Sequence, residues 1–176
     1  MGTRAFGKCG QCDASLSNTA SDNAIGMIND IYNKRILELA GNIPRLGRLD
    51  RPDGTARANS RLCGSTVTVD VKLDSGRVSD FAHDVKACAL GQASSALMAR
   101  HVIGLTQEQI AALREQMRAM LKDGAPPPSG EFEEFACLEP VREFKARHAS
   151  TMLTFDATLE AVQKAMASTT NVPAGV

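Results

Sequence analysis

Residues 66–73 alternate strictly between polar and apolar side chains, and this stretch limits the fold more than any other. Successive side chains of a strand point to opposite faces. Val67, Val69, Val71 and Leu73 therefore define a buried face, and Thr66, Thr68, Asp70 and Lys72 a wet one. Asp74-Ser75-Gly76 supplies a tight turn, and Arg77 to Val85 returns as a second strand, giving a β-hairpin. The alternation of the second strand is less clean, which fits a bulge. A hairpin with one apolar face is not stable alone, so the rest of the chain must cover it.

The cover is read from helical periodicity. Asp22 is a fair N-cap for a helix carrying Ile28, Ile31, Tyr32, Ile36 and Leu39, with Gly41 to end it and Pro44 just beyond. Residues 44–60 are polar and turn-rich, with Pro52-Asp53-Gly54 as a turn and Thr55 to Ser60 as a short edge strand. From about Ala87 the period becomes helical. Leu90, Ala93, Leu97 and Val102 share a face, and Gly104 stops the run. Thr106-Gln107-Glu108-Gln109 fits a capping box ahead of a stripe of Ile110, Leu113, Met117 and Leu121 that ends near Gly124. An extended loop follows over 125–130, then a short helix over 131–139 that Pro140 interrupts. The last helix is expected from about Ser150 to Ala167, with Met152, Phe155, Leu159, Val162 and Met166 inward. This order predicts an α+β fold, a small antiparallel three-stranded sheet packed with about five helices. Residues 1–21 read as a flexible leader, 22–167 as a single domain and 168–176 as a frayed tail.

Composition removes several functions. Lys and Arg number 20, as do Asp and Glu, so the formal charge is zero. That argues against a general nucleic-acid binder and against polybasic docking to a membrane. No stretch approaches the roughly 18 apolar residues of a spanning helix, and no signal-peptide run opens the chain. A reducing cytoplasmic setting is expected, where the five cysteines act as thiols rather than as a disulfide framework. Aromatic residues make up only 4% and Trp is absent, so there is no stacking platform for bases or sugars.

Two cysteines border the hairpin. Cys63, in Leu62-Cys63-Gly64-Ser65, is expected at a loop tip before the first strand. Cys88, in Ala87-Cys88-Ala89, is expected at a helix N-terminus, where the helix dipole and Lys86 favour the thiolate that attacks sulfur or binds metal. A packed, inert cysteine is the plain alternative for either. His83-Asp84 lies four to five residues before Cys88 and reads best as hairpin polarity facing water. His101 reads as a boundary residue with no indicated partner. Cys9-Gly10-Gln11-Cys12 has C-x-x-C spacing, but no strand, helix or second ligand pair flanks it, and it reads as incidental.

The stretch from Cys63 to Gly104 resembles the centre of the IscU/NifU-like iron–sulfur cluster scaffold family. Cys63-Gly64, Ala87-Cys88-Ala89 and Gln92-Ala93-Ser94-Ser95 carry the resemblance, with weaker support from Ile31-Tyr32-Asn33 and from 138–147. The insert between Gly104 and Gly130 resembles the SufU branch. The resemblance implies a scaffold or sulfur carrier rather than an enzyme. It would receive persulfide sulfur from a cysteine desulfurase, together with iron, and pass them to recipient apoproteins; the helix-terminal position of Cys88 makes it the expected acceptor, with Cys63 as co-ligand or relay. It also implies a transient iron–sulfur cluster or zinc on three thiolates and a carboxylate. Here Ser65 stands where the family has Asp, and Ser150 where it has a third Cys. Three outcomes stay open. His148 or Cys137 completes a zinc-like site with Cys63 and Cys88; a homodimer supplies two thiolates per chain to one cluster; or no metal binds. The other functions weighed are a zinc-binding or metal-free adaptor of the same fold, and a small thiol oxidoreductase.

Overall fold

The structure is a computed structural model that describes residues 33–61 and 63–170. The expected leader, the Cys9–Cys12 pair and the first part of the opening helix lie outside the described residues. In chain order the elements are α1 (Lys34–Gly41), β1 (Gly54–Asn59), β2 (Thr66–Asp74), β3 (Arg77–Lys86), α2 (Ala89–His101), α3 (Gln107–Asp123), a 3-10 helix (Gly130–Glu143) and α4 (Lys145–Thr170). The sheet is antiparallel in the order β1-β2-β3. The α+β architecture with a three-stranded sheet and five described helices is as expected.

The hairpin turns through Ser75 and Gly76, both at positive φ (51° and 77°), the combination whose twist matches the flanking strands. A register shift follows at once. Leu73 faces Val78 but Lys72 faces Asp80, so Ser79 is the extra residue. This bulge moves the inward set of β3 from Val78 to Phe81 and His83, which is why the alternation looked imperfect.

The core lies between the sheet and α4, with α2 behind. Val67, Val69 and Val71 are fully buried there. β1 comes so close to α4 that a Cβ at Gly54 would lie 2.1 Å from the Ala161 carbonyl oxygen. Small residues on α4 permit this: Ala157, Ala161 and Ala165 are buried, while Met166, expected inward, is exposed and Leu159 is only half-buried. α2 is buried nearly all round rather than along one stripe, because it is sandwiched between α1 and α4.

Two boundaries differ from expectation. The 3-10 helix carries through Pro140 to Glu143, because proline bars an α-helix but leaves short i→i+3 turns on either side. α4 starts at Lys145, not near Ser150, so His148 and Ser150 both belong to its first two turns.

The polar face of β2 is only partly wet. Asp70 is fully buried under the 45–50 segment. Arg48 reaches its carboxylate at 2.6 and 2.9 Å, the Thr55 hydroxyl at 2.7 Å and the Leu49 N–H at 3.1 Å. Burial by itself would raise the Asp70 pKa, but these hydrogen bonds and the Arg48 charge outweigh it and hold the group below the usual carboxylate range. A depressed carboxylate stabilises the fold above its unfolded pKa of about 4, and that contribution vanishes as the pH falls through the folded value. Denaturant titrations are therefore expected to find wild-type stability falling below about pH 4. Asp70→Asn should be less stable at neutral pH and flatter across the acid window. Parallel curves for the two proteins would remove Asp70 as the acid-sensitive group.

Candidate functional site

Strand register brings the two hairpin cysteines to one end of the sheet. Thr66 and Lys86 are paired, the first residue of β2 with the last of β3. Cys63 lies three residues before that pair and Cys88 two residues after it. Neighbouring strands run about 4.8 Å apart, so both thiols leave the sheet from adjacent strand ends.

Cys63 sits exposed on a tight loop closed by two backbone bonds, Ser60 N–H to Ser65 O and Gly64 N–H to Ser60 O, both 2.9 Å. Gly64 takes φ 68°, which a side chain would resist. The Cys63 thiol donates to Ser65 Oγ at 3.0 Å. The Ser60 hydroxyl is buried with no other hydrogen-bond partner and can turn to the sulfur once it ionises. The Ser60 and Ser65 hydroxyls, the Ser65 backbone and the more distant Arg147 guanidinium together lower the Cys63 pKa, against a small opposing effect of burial. Peptide-resolved iodoacetamide labelling is expected to give a midpoint for Cys63 below the ordinary thiol value of about 8.5, and Ser65→Ala should raise it. An unchanged midpoint in the variant would assign the effect elsewhere.

Cys88 is the N-cap of α2, with extended backbone (φ −66°, ψ 168°) and its carbonyl accepting from Gln92 N–H at 2.9 Å. It is half-buried, and its thiol donates to Ser150 Oγ at 3.6 Å. The Ser150 hydroxyl in turn donates to the Arg147 carbonyl at 3.0 Å. α2 and α4 meet closely here, since a Cβ at Gly91 would stand 3.1 Å from the Ser150 carbonyl oxygen. One turn of α4 thus serves both thiols: Arg147 bears on Cys63 electrostatically and Ser150 holds Cys88. Sequence reading missed Arg147 and Ser60. A helix placed from Lys145 would have put Arg147 and Ser150 on one face, at i and i+3.

The other candidates lie elsewhere. His148 Nε2 donates to the carbonyls of Val141 and Arg142, 3.2 and 3.0 Å away, and ties off the end of the 3-10 helix. It is two residues from Ser150, about 200° round the helix. Cys137 is half-buried in the 3-10 helix near Arg35 and Glu134, and burial pushes its thiol up to about 11, which keeps it protonated. His83 does not face water. It is fully buried on the core face, with Nε2 2.9 Å from the Pro44 carbonyl oxygen, and burial lowers its pKa. Asp84 is the exposed member of that pair and lies 3.8 Å from Lys86, so the Lys86 charge is shared with it. His101 does have a partner, Glu134 at 3.1 Å.

Among the described residues no three His, Cys, Asp or Glu side chains gather to hold a metal. Zinc takes thiolate, imidazole or carboxylate, whereas two neutral hydroxyls accompany the thiols here, one of them turned to a backbone carbonyl. The donor set does not fit a resident four-ligand zinc ion. It consists of two thiols, each hydrogen-bonded to a serine hydroxyl. No described helix is long and apolar enough to cross a membrane.

A family model described as NifU-like N terminal domain matches residues 31–167. A crystal structure of a NifU-like protein (N-terminal) from Brucella abortus is 57% identical, covers 80% of this chain and 98% of its own, and superposes with a TM-score of 0.78. An iron–sulfur cluster assembly scaffold protein IscU from Streptococcus pyogenes serotype M1 is 26% identical over 141 residues, 80% of this chain and 88% of that protein. A structure described as a putative SUF-system scaffold from Fervidobacterium islandicum shares the fold at 19% identity and a TM-score of 0.71, covering 76% of this chain and 98% of its own.

Proposed function

Because the chain belongs to the NifU-like N-terminal domain family, we propose that it is an iron–sulfur cluster assembly scaffold whose first cargo is sulfur, received on Cys63. The observation that carries this reading is the exposed Cys63 thiol, lowered in pKa and backed by Ser60, Ser65 and Arg147. Sequence reasoning favoured Cys88 as acceptor. The exposure of Cys63 and the hydrogen-bonded, half-buried state of Cys88 support the reverse order, with Cys88 as relay and co-ligand.

The sulfur donor is a persulfide of the kind a cysteine desulfurase carries. The Cys63 thiolate attacks the outer sulfur of that persulfide. A new S–S bond forms on Cys63, the donor S–S bond breaks, and its inner sulfur leaves as a thiolate that takes up a proton. The exchange is redox-neutral and leaves the transferred sulfur covalently on Cys63, so in this reading the chain acts as a carrier of that sulfur. Ser65 reverses its hydrogen bond as Cys63 ionises, donating to the sulfur anion. Recipient apoproteins take the cargo onward, in a reducing cytoplasmic setting that keeps thiols free.

A [2Fe–2S] cargo takes four thiolates, and each chain brings two to this end of the sheet. Two chains related by a twofold axis would therefore hold it between them. Anaerobic reconstitution with ferrous iron and sulfide is expected to give sulfide-to-iron absorption bands in the visible and a shift from monomer to dimer on gel filtration. Both should be lost in Cys63→Ser and in Cys88→Ser. A protein that neither gains colour nor acquires persulfide sulfur would leave only an adaptor of the same fold.

A further inference from the structure

A second surface lies beside the thiol site. Arg114, Arg118 and Lys122 recur at four-residue spacing along α3, and Lys145, Ala149, Met152 and Asp156 line the facing side of α4. Between them runs an open groove of about 520 Å3. Met152 and Leu153 form its floor with Ala149 and the aliphatic stems of the basic side chains. Its lining carries four Lys or Arg side chains against the single carboxylate of Asp156, in a chain whose formal charge is zero. Arg114 is bound by Asp156 at 2.6 Å and by Glu115 at 2.5 Å, and Glu115 also holds Arg118 at 2.8 Å, which leaves Lys122 and Lys145 as the groove's unengaged cations among the described residues. Lys122 and Lys145 are exposed and make no ion pair among the described residues. His148 also lines the groove, with its Nε2 engaged by backbone carbonyls. At the rim stands Asn59, one residue before the loop that carries Cys63.

We propose that this groove docks an acidic segment of a partner protein, an extended stretch with an apolar anchor flanked by Asp and Glu. The inference goes beyond the scaffold reading and does not depend on it. Charge complementarity selects the occupant. The α3 cations span eight residues, about 12 Å of helix at 1.5 Å per residue, so a small anion would meet only part of the row while a chain would follow it. The apolar floor rewards side chains that a free inorganic anion lacks. No aromatic side chain lines the groove to stack a nucleobase.

Fluorescence anisotropy with a labelled peptide of alternating Glu and Leu tests this on the full chain. Saturable binding is expected, weakened about tenfold when Gln replaces Glu in the peptide and similarly when salt rises from about 0.05 to about 0.3 M. The double variant Lys122→Glu, Lys145→Glu should also bind about tenfold or more weakly, with its melting temperature unchanged. Both substitutions are at exposed positions, and melting separates lost docking from lost fold. Equal binding of the Glu and Gln peptides, equal binding by the charge-reversed protein, or no binding at all overturns the proposal. So does complete displacement by citrate at a concentration equal to the peptide's, which would make this a small-anion site. Tighter binding of single-stranded DNA than of the peptide would overturn it as well. Persulfide acceptance by the charge-reversed protein from a small-molecule persulfide is a separate readout, so failure here and failure of the scaffold reading are distinguishable.

Discussion

Cys63→Ser is expected to lose persulfide acceptance almost completely, by about two orders of magnitude or more in rate, because serine cannot supply an ionised sulfur nucleophile near neutral pH. Intact-mass spectrometry after exposure to a persulfide donor reads this directly as the gain of one sulfur atom per chain. Cys88→Ser should still accept that first sulfur but fail to hold a cluster, since one thiolate of the pair is gone. Cys137→Ser should behave as wild type in both assays, because its thiol is half-buried, held protonated by burial and placed among Arg35 and Glu134. In the wild type, acceptance should rise with pH and level off earlier than an ordinary thiol would, since the Cys63 pKa is lowered and its thiolate population fills sooner. Undiminished sulfur uptake by Cys63→Ser would sink the acceptor assignment.

The largest effect on stability is expected from Gly54→Ala, although it adds a single methyl group. Its Cβ would stand 2.1 Å from the carbonyl oxygen of Ala161 and 2.8 Å from the backbone nitrogen of Ala165. Both contacts are helix backbone, so no side chain can swing aside, and β1 and α4 must separate. Overpacking of this kind costs about 3 kcal/mol. For a domain of this size that corresponds to a fall of about 10 °C in melting temperature. Gly41→Ala is the matched control. It lies at the end of α1 with no atom within 4 Å of a new Cβ and no positive φ, so its melting temperature should hold or rise slightly. Equal melting of the two variants would show that β1 is not pressed against α4.

The two effects differ in how far they could be read beforehand. The hairpin was legible because a period of two repeated over eight residues has one structural solution, and β2 runs Thr66–Asp74 as that period requires. α3 was legible for a similar local reason: its capping box at Thr106 and Gln109 formed as read. α4 was legible in part: Met152, Phe155 and Val162 are buried as their spacing required, but its start at Lys145 is hidden behind Pro140 and Phe144, and the alanines and threonines that complete its buried face carry little hydrophobic signal. His83 was misread for another reason. A bulge at Ser79, invisible as a pattern, turned the inward set of β3 and carried the imidazole into the core. The short helix expected over 131–139 is present, but its 3-10 form and its continuation through Pro140 to Glu143 escaped notice because short i→i+3 turns leave no sustained period.

At the site the division is sharper. It took the resemblance to the family to mark Ser65 and Ser150 as departures from its pattern, but residue types and spacing alone put Cys63 before a strand and Cys88 at a helix start. Those are local properties, set by turn chemistry and side-chain period, and they do not depend on distant parts of the chain. Tertiary packing decided the rest. It placed Ser150 of α4 against the Cys88 thiol and brought the Arg147 charge within electrostatic reach of Cys63, turned His148 to cap a neighbouring helix, and held Cys137 apart. The contact of Cys88 with Ser150 joins positions 62 residues apart, and Cys63 and Arg147 are further apart still. They arise only when α4 settles against the sheet and α2, at a spacing set by Gly54 and Gly91.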